Sequence, residues 1–384
     1  MALKSGDIVM NIVVAIDSFK GSLSSTGAGD IVKTAALKVD LLHNVIVRPL
    51  ADGGEGTVEA LSSGVKGELI ELDVTGPLFN KVTANYFIMD ENNTAVIEMA
   101  SAAGLTLVEE NQRNPLKTTT FGVGELILDA IEKGCRRFII GIGGSATNDG
   151  GIGMLGALGY EFLNEKGASV TLNGEGLKDI KSICTDNVNP ILKKCIFRVA
   201  CDITNPLCGE LGCSMVFAPQ KGADAGIVEK MDLWLKNYSA LVGKTFQNAD
   251  SNFPGAGAAG GLGFAFKTFL NAQLDSGVKI ILEETKLEEY IQKADLVVTG
   301  EGRLDYQTAM GKAPIGVAEL SKKHNKKVIA FAGSVTDDAS VCNEKGIDAY
   351  FSIMQGVSTL EEALDKNNAE KNLFNTAYQV FRLF

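Results

Sequence analysis

The chain has 384 residues, of which 45% are hydrophobic and 22% charged. That composition fits an ordinary soluble globular protein, and at this length two domains are the default. A net charge of −11 argues against a nucleic-acid partner, so any anionic substrate must be held by local lysines, arginines and backbone N–H groups.

No apolar run approaches the roughly 20 residues that span a bilayer. The first residues lack the pattern of a signal peptide, and Met1–Val9 reads as a leader ahead of Met10. Cys201, Cys208 and Cys213 cluster without C-x-x-C pairs or a nearby histidine, a poor zinc site. Reduced thiols and a cytoplasmic location are expected. The two histidines, His43 and His324, lie outside the glycine loops, which disfavours a Ser-His-Asp hydrolase and leaves a carboxylate as the natural general base.

In chain order, Asn11 to Ile16 is a β-branched strand that runs into Asp17-Ser18-Phe19-Lys20-Gly21, with Ser24-Ser25-Thr26 offering N-caps for a helix through Leu37. A strand from Val45 to Leu50 leads into Asp52-Gly53-Gly54-Glu55-Gly56-Thr57, where two carboxylates flank a flexible turn suited to a hard cation or substrate hydroxyls. From Glu68 to Ala100 short alternating runs indicate an antiparallel or mixed sheet. Thr118-Thr119-Thr120 is placed to cap a helix from Phe121 to Lys133.

The apolar run Phe138-Ile139-Ile140 then breaks into Gly143-Gly144-Ser145-Ala146-Thr147-Asn148-Asp149-Gly150-Gly151, ahead of a helix from Ile152 to Tyr160. Strand, small polar loop and helix is a common way to present backbone N–H groups to an anion. A helix from Ile227 to Leu241 carries Trp234 as an expected core residue, and Pro254–Gly263 reads as a flexible loop opening a further helix. Past about residue 285 the βαβ rhythm returns. A strand from Leu296 to Thr299 enters Gly300-Glu301-Gly302-Arg303-Leu304-Asp305, followed by Gln307, Thr308 and Gly311-Lys312. The same texture at both ends predicts a discontinuous, doubly wound, flavodoxin-like α/β domain of residues 1–67 plus 286–384. A second α/β domain with a mixed sheet, 68–285, is inserted into it.

Gly151–Gly156 and Gly255–Gly260 both fit G-x-G-x-x-G, yet in a chain with 43 glycines that is weak, and the first match falls inside a predicted helix. The strand-end loops instead carry Asp, Glu, Lys, Ser, Thr and Gly without histidine, the inventory that phosphoryl transfer asks for.

Asp17–Gly21, Asp52–Thr57, Gly143–Gly151, Thr299–Asp305 and Gln307-Thr308…Gly311-Lys312 together resemble, in order, the motifs of the type-1 glycerate kinase family. The resemblance runs from about Met10 almost to the end of the chain. It implies ATP- and Mg²⁺-dependent phosphorylation of D-glycerate, mostly to 2-phosphoglycerate, in a cleft between a flavodoxin-like and a mixed α/β domain. The alternatives are an NAD-dependent hydroxy-acid dehydrogenase and a non-enzymatic sensor of small acids or nucleotides.

On this reading Asp17, Lys20 and Asp149 are catalytic, with either aspartate as the base and Lys20 as an anion anchor. Ser18, Asp52, Gly53, Gly54, Glu55, Ser145, Asn148 and Arg303 bind substrate. Gly143, Gly144, Thr147, Gln307, Thr308 and Lys312 bind the nucleotide, and Glu301 and Asp305 take the metal. Oligomeric state stays open.

Overall fold

The computed structural model describes residues 9–51 and 56–384. These form two compact units, one of residues 9–51, 59–65 and 278–384, the other of residues 56–58 and 66–277.

The first unit is built on a five-stranded parallel sheet in the order Ala349–Ser352, Lys327–Val335, Leu296–Leu304, Asn11–Ile16, Asn44–Val47. The strand Asn11–Ile16 is central, and its apolar run from Ile12 to Ile16 is buried on both faces, as central parallel strands are. Ile12, Val14 and Ile16 pack with Val32 and Ala36 of the helix Ser25–Val39 and with Leu373, Ala377 and Phe381 of the helix Lys366–Phe381. The helix Ala313–Lys323 packs against the Leu296 and Lys327 strands. Ser24 caps the first helix by accepting from Gly27 N at 3.2 Å, as the serine cluster indicates.

The strand order reverses between the Asn11 and Leu296 strands, the position at which doubly wound sheets open a crevice beyond their carboxyl ends. Ile16 pairs with Gly300, and Asp17 N donates to Gly300 O at 2.9 Å, so Asp17 is held beside the Gly300–Arg303 backbone.

The Leu296 strand continues to Leu304, five residues past the predicted end at Thr299, so Gly300-Glu301-Gly302 is strand and not a turn. Gly300, Glu301 and Arg303 pair with Phe331, Ala332 and Ser334. A Cβ on Gly300 would lie 2.2 Å from Phe331 O, so the glycine is a close-packing residue of the sheet.

The second unit has a six-stranded mixed sheet in the order Gln273–Asp275, Ile196–Ala200, Arg137–Gly141, Thr94–Glu98, Lys81–Met89, Gly67–Thr75. The first four strands are mutually parallel, and the last two extend the sheet antiparallel, which accounts for the alternating texture after residue 67. A core of Tyr86, Leu126, Phe138, Ile140, Phe197 and Phe266 fills the unit, with Phe138 and Phe197 stacked at 4.8 Å.

The helix after the polar loop is short, Ile152–Ala157, and does not reach Tyr160. The chain must turn at Gly159 (φ 99°), where a Cβ would meet Asn187 O at 2.2 Å. Trp234, on the helix Ala225–Thr245, is half-buried and borders a groove with Leu177 and Lys181, so it flanks the core without entering it.

Candidate functional site

In the first unit the strand ends gather carboxylates and cations. Asp17 is buried, and its Oδ1 accepts from Ser18 N at 2.7 Å. Glu301 is also buried, and its Oε1 accepts from Thr308 Oγ1 at 2.6 Å, while Lys312 Nζ stands 3.9 Å from its Oε2. Burial lifts the Glu301 carboxyl above its ordinary value and nearby Asp305 pushes the same way. The Thr308 hydroxyl, Lys312 and Lys20 oppose the rise.

Asp305 Oδ1 accepts from the backbone N–H of Gln307 at 2.9 Å and of Thr308 at 3.2 Å, a turn that starts the 3₁₀ segment Thr308–Met310. Arg303 Nε lies 3.3 Å from Asp305 Oδ2 with its side chain largely in solvent. The turn delivers Lys312 to the N-terminus of the helix Ala313–Lys323, where unpaired N–H groups favour an anion. The structure therefore brings Asp17, Ser18, Lys20, Glu301, Arg303, Asp305, Thr308 and Lys312 to the carboxyl edge of one sheet, with Gln307 in the exposed turn beside them. Asp52, Gly53, Gly54 and Glu55 lie outside the described residues.

In the second unit the Gly143–Gly151 loop follows the Arg137–Gly141 strand and is tied down along its length. Leu105 N donates to Gly144 O at 2.8 Å, Ala146 N to Ala103 O at 2.9 Å, and Gly150 N to Gly260 O at 2.9 Å. Thr118 Oγ1 donates to Ala146 O at 3.0 Å, and Asn148 Nδ2 to Ser214 Oγ at 2.8 Å. Gly144 is exposed and Gly143 half-buried. Ser145 is 8% exposed, whereas Thr147, Asn148 and Asp149 are 0% exposed.

Asp149 accepts four hydrogen bonds, from Thr120 N (2.9 Å), Thr120 Oγ1 (2.8 Å), Gly151 N (3.0 Å) and Gly153 N (3.3 Å). Burial raises its carboxyl above the ordinary value, and these donors pull it back. The carboxylate thus knits the loop to the starts of two helices. Thr120 does not cap its own helix as the threonine run suggests. Its hydroxyl is spent on Asp149 and on accepting from Met154 N at 2.9 Å.

Lys221 is the residue that sequence reasoning missed. It is buried, and its Nζ donates to Ser145 Oγ at 2.7 Å and to Thr147 O at 2.6 Å. Burial draws its ammonium down to about 8. Lysine is rarely fully buried unless paired, but nothing in Pro219-Gln220-Lys221-Gly222 marks it as buried, and its partners are more than seventy residues away.

The fingerprint glycines have a packing function. A Cβ on Gly153 would lie 2.4 Å from Thr119 Oγ1, and one on Gly260 2.2 Å from Thr147 O. Pro254–Gly263, read as a flexible loop, is in fact a support for the Thr147–Gly150 segment, and Ala258–Leu270 is a largely buried helix with left-handed backbone at Ala259–Gly261. Among the described residues no group of three His, Cys, Asp or Glu stands ready to hold a metal, and no helix is long and apolar enough to cross a membrane.

This mixed α/β architecture, with acids and lysines at the ends of parallel strands, is that of an α/β enzyme. The chain belongs to the glycerate kinase family, whose model matches residues 12–384. It is 46% identical to the glycerate 2-kinase of Escherichia coli (strain K12) over 354 residues, 92% of this chain and 93% of that protein. It is 43% identical to the glycerate kinase of Haemophilus influenzae, covering 97% of this chain and 98% of that one. A crystal structure of a candidate glycerate kinase 2 from Salmonella typhimurium LT2 matches with a TM-score of 0.89 at 43% identity, over 98% of each chain.

Proposed function

We propose that this enzyme transfers the terminal phosphoryl group of ATP to D-glycerate, at the C2 hydroxyl, with Mg²⁺ as cofactor and in the cytosol. The observation that carries the reading is the placement of Asp17 beside Gly300–Arg303 at the switch point, with Glu301, Asp305, Lys20 and Lys312 at the same sheet edge. Phosphoryl transfer is mainly positioning and charge stabilisation, for which this set is suited. The choice of the C2 hydroxyl draws support from the Escherichia coli relative, a glycerate 2-kinase.

Asp17 is assigned as the base that accepts the glycerate hydroxyl proton. Asp149, with no exposed surface and four donors around it, is given the task of holding its loop. Lys20 and Arg303 take the carboxylate or phosphate oxygens, and Ser18 a substrate hydroxyl. Gln307, in the exposed turn, and Lys312, at the N-terminus of the helix Ala313–Lys323, are assigned to the nucleotide phosphates. Thr308, buried and bonded to Glu301, is assigned to orienting that carboxylate.

Glu301 and Asp305 supply hard oxygen donors of the kind Mg²⁺ prefers. Two carboxylates suit a cation that completes its shell with phosphate and water. Bound there, Mg²⁺ would neutralise charge on the transferring phosphoryl oxygens. In the second unit, Gly143, Gly144 and Ser145 form the accessible part of the loop and are assigned to ligand contact, while Thr147 and Asn148 shape it from within.

The test is ADP formation from ATP, Mg²⁺ and D-glycerate by the purified chain, with phosphorus NMR of the product. A phosphate on C2 couples to one proton and a phosphate on C3 to two. No ADP across a panel of hydroxy acids would sink the kinase reading. A two-proton coupling would correct the position alone.

A further inference from the structure

A cavity of about 360 Å³ opens in the first unit at the carboxyl edge of its sheet, and of the described site residues only Lys20 lines it. Its floor is the turn after the first strand, with Phe19 and Lys20, and the ends of two neighbouring strands at Gly302 and Ser334. Its far wall is the segment from Ile353 to Leu364 and the first turns of the helix Lys366–Phe381.

The chemistry of the lining is lopsided. Phe19, Ile353, Met354 and Leu360 give an apolar body, hydroxyls and an amide (Ser334, Thr359, Asn372) are spaced around it, and among the described residues no carboxylate faces it. The one charged group among the described lining residues is Lys20, on the side where Gly302 lies, next in sequence to Glu301. The floor there is bare backbone. A Cβ on Gly333 would meet Gly302 O at 2.5 Å, and one on Gly302 would come within 3.2 Å of Lys20 N.

Leu360 keeps 76% of its surface in solvent at the rim, and Leu364 keeps 41%. Exposed apolar groups gathered at a cavity mouth mark a binding surface more often than chance exposure does.

We infer that this cavity receives the base and ribose of the nucleotide donor, with the phosphates leaving it past Lys20 and Gly302 toward the Glu301 side of the strand. The occupant needs an apolar, flat body, several hydrogen-bonding edges and an anionic end, and a nucleoside triphosphate has all three. Glycerate is ruled out as the occupant by its chemistry: it has three carbons, a carboxylate and two hydroxyls, and offers the apolar wall nothing to bury. Residues 301 and 302 project to opposite faces of the strand, so a nucleoside on the Gly302 side delivers its phosphate chain across the strand tip. This assignment rests on the kinase reading above.

Two experiments test it. Ala363 lines the far wall on a short exposed helix, and Ala363→Trp fills the cavity. The KM for ATP should rise by at least about tenfold while kcat and the KM for glycerate stay within about twofold. An unchanged KM for ATP, or an equal rise for glycerate, overturns the assignment. Independently of any variant, illumination of the wild-type chain with 8-azido-ATP should label residues within 353–372, and excess ATP should suppress the label. Labelling confined to other segments overturns it too. If wild-type protein makes no ADP with glycerate yet is labelled at 353–372, the kinase reading has failed and the nucleoside site stands.

Discussion

Lys221 Nζ donates a hydrogen bond to Ser145 Oγ at 2.7 Å across 76 residues of sequence, fixing the edge of the polar loop from below. The same ammonium donates to Thr147 O at 2.6 Å. A buried cation in that position is costly unless its donors are used, and here they are directed at two atoms of the loop.

The sign of its pH dependence follows. Burial lowers Lys221 from 10.5 to about 8 in the folded chain. Below pH 8 both states hold the proton, and the cost of burying the charge is fully present. Between about 8 and 10.5 only the unfolded state holds it, so stability gains with rising pH across that window. Urea midpoints of wild type and Lys221→Met, compared at the two ends of the window, should show the wild type gaining on the variant as pH rises. Parallel pH profiles would mean that Lys221 is not buried as described.

Asp17 and Asp149 separate by what their loss affects. Asp17→Asn should lower kcat by about 10²–10⁴-fold, the usual worth of a general base, with little change in melting temperature. Asp149→Asn replaces a carboxylate that accepts four hydrogen bonds, and should destabilise the second unit by about 2–4 kcal/mol. Saturating-substrate kinetics and denaturant titration on both variants decide it. The reverse pattern, a stable but inactive Asp149→Asn, moves the base to Asp149.

Thr308 positions Glu301 through a 2.6 Å hydrogen bond and also accepts from Asp305 N at 3.2 Å. Thr308→Val keeps the shape and removes both bonds. Groups that orient metal ligands are typically worth about 10–100-fold in affinity. The Mg²⁺ concentration giving half-maximal rate should rise by about that factor, with the rate at saturating Mg²⁺ falling less. An unchanged Mg²⁺ requirement removes Glu301 and Asp305 from the metal role.

Gly260 has φ 68°, and an added Cβ would stand 2.2 Å from Thr147 O. Gly260→Ala combines left-handed strain of roughly 1–2 kcal/mol with a clash against backbone that cannot yield cheaply. A loss of more than about 2 kcal/mol in stability is expected by urea denaturation. A near-neutral result would show that the Thr147–Gly150 segment is not held by this contact.

The sequence alone determined the elements whose apolar pattern leaves one solution. The run from Ile12 to Ile16 is buried on both faces, and a strand is what such a short β-branched run can be. The motif order along the chain likewise carried the family, because long motifs in register do not arise from glycine content. What the sequence could not express is which residues face each other. That Gly300-Glu301-Gly302 stays in the sheet depends on Phe331 O approaching Gly300 too closely for a side chain. The buried state of Lys221, the turning of Thr120 from helix cap to Asp149 partner, and the use of Pro254–Gly263 as a support all depend on contacts over tens of residues. Local propensity sees a lysine, a threonine and a glycine loop. Only packing decides whether a polar group meets water or another part of the chain, since the cost of leaving it unpaired arises when the tertiary structure excludes solvent.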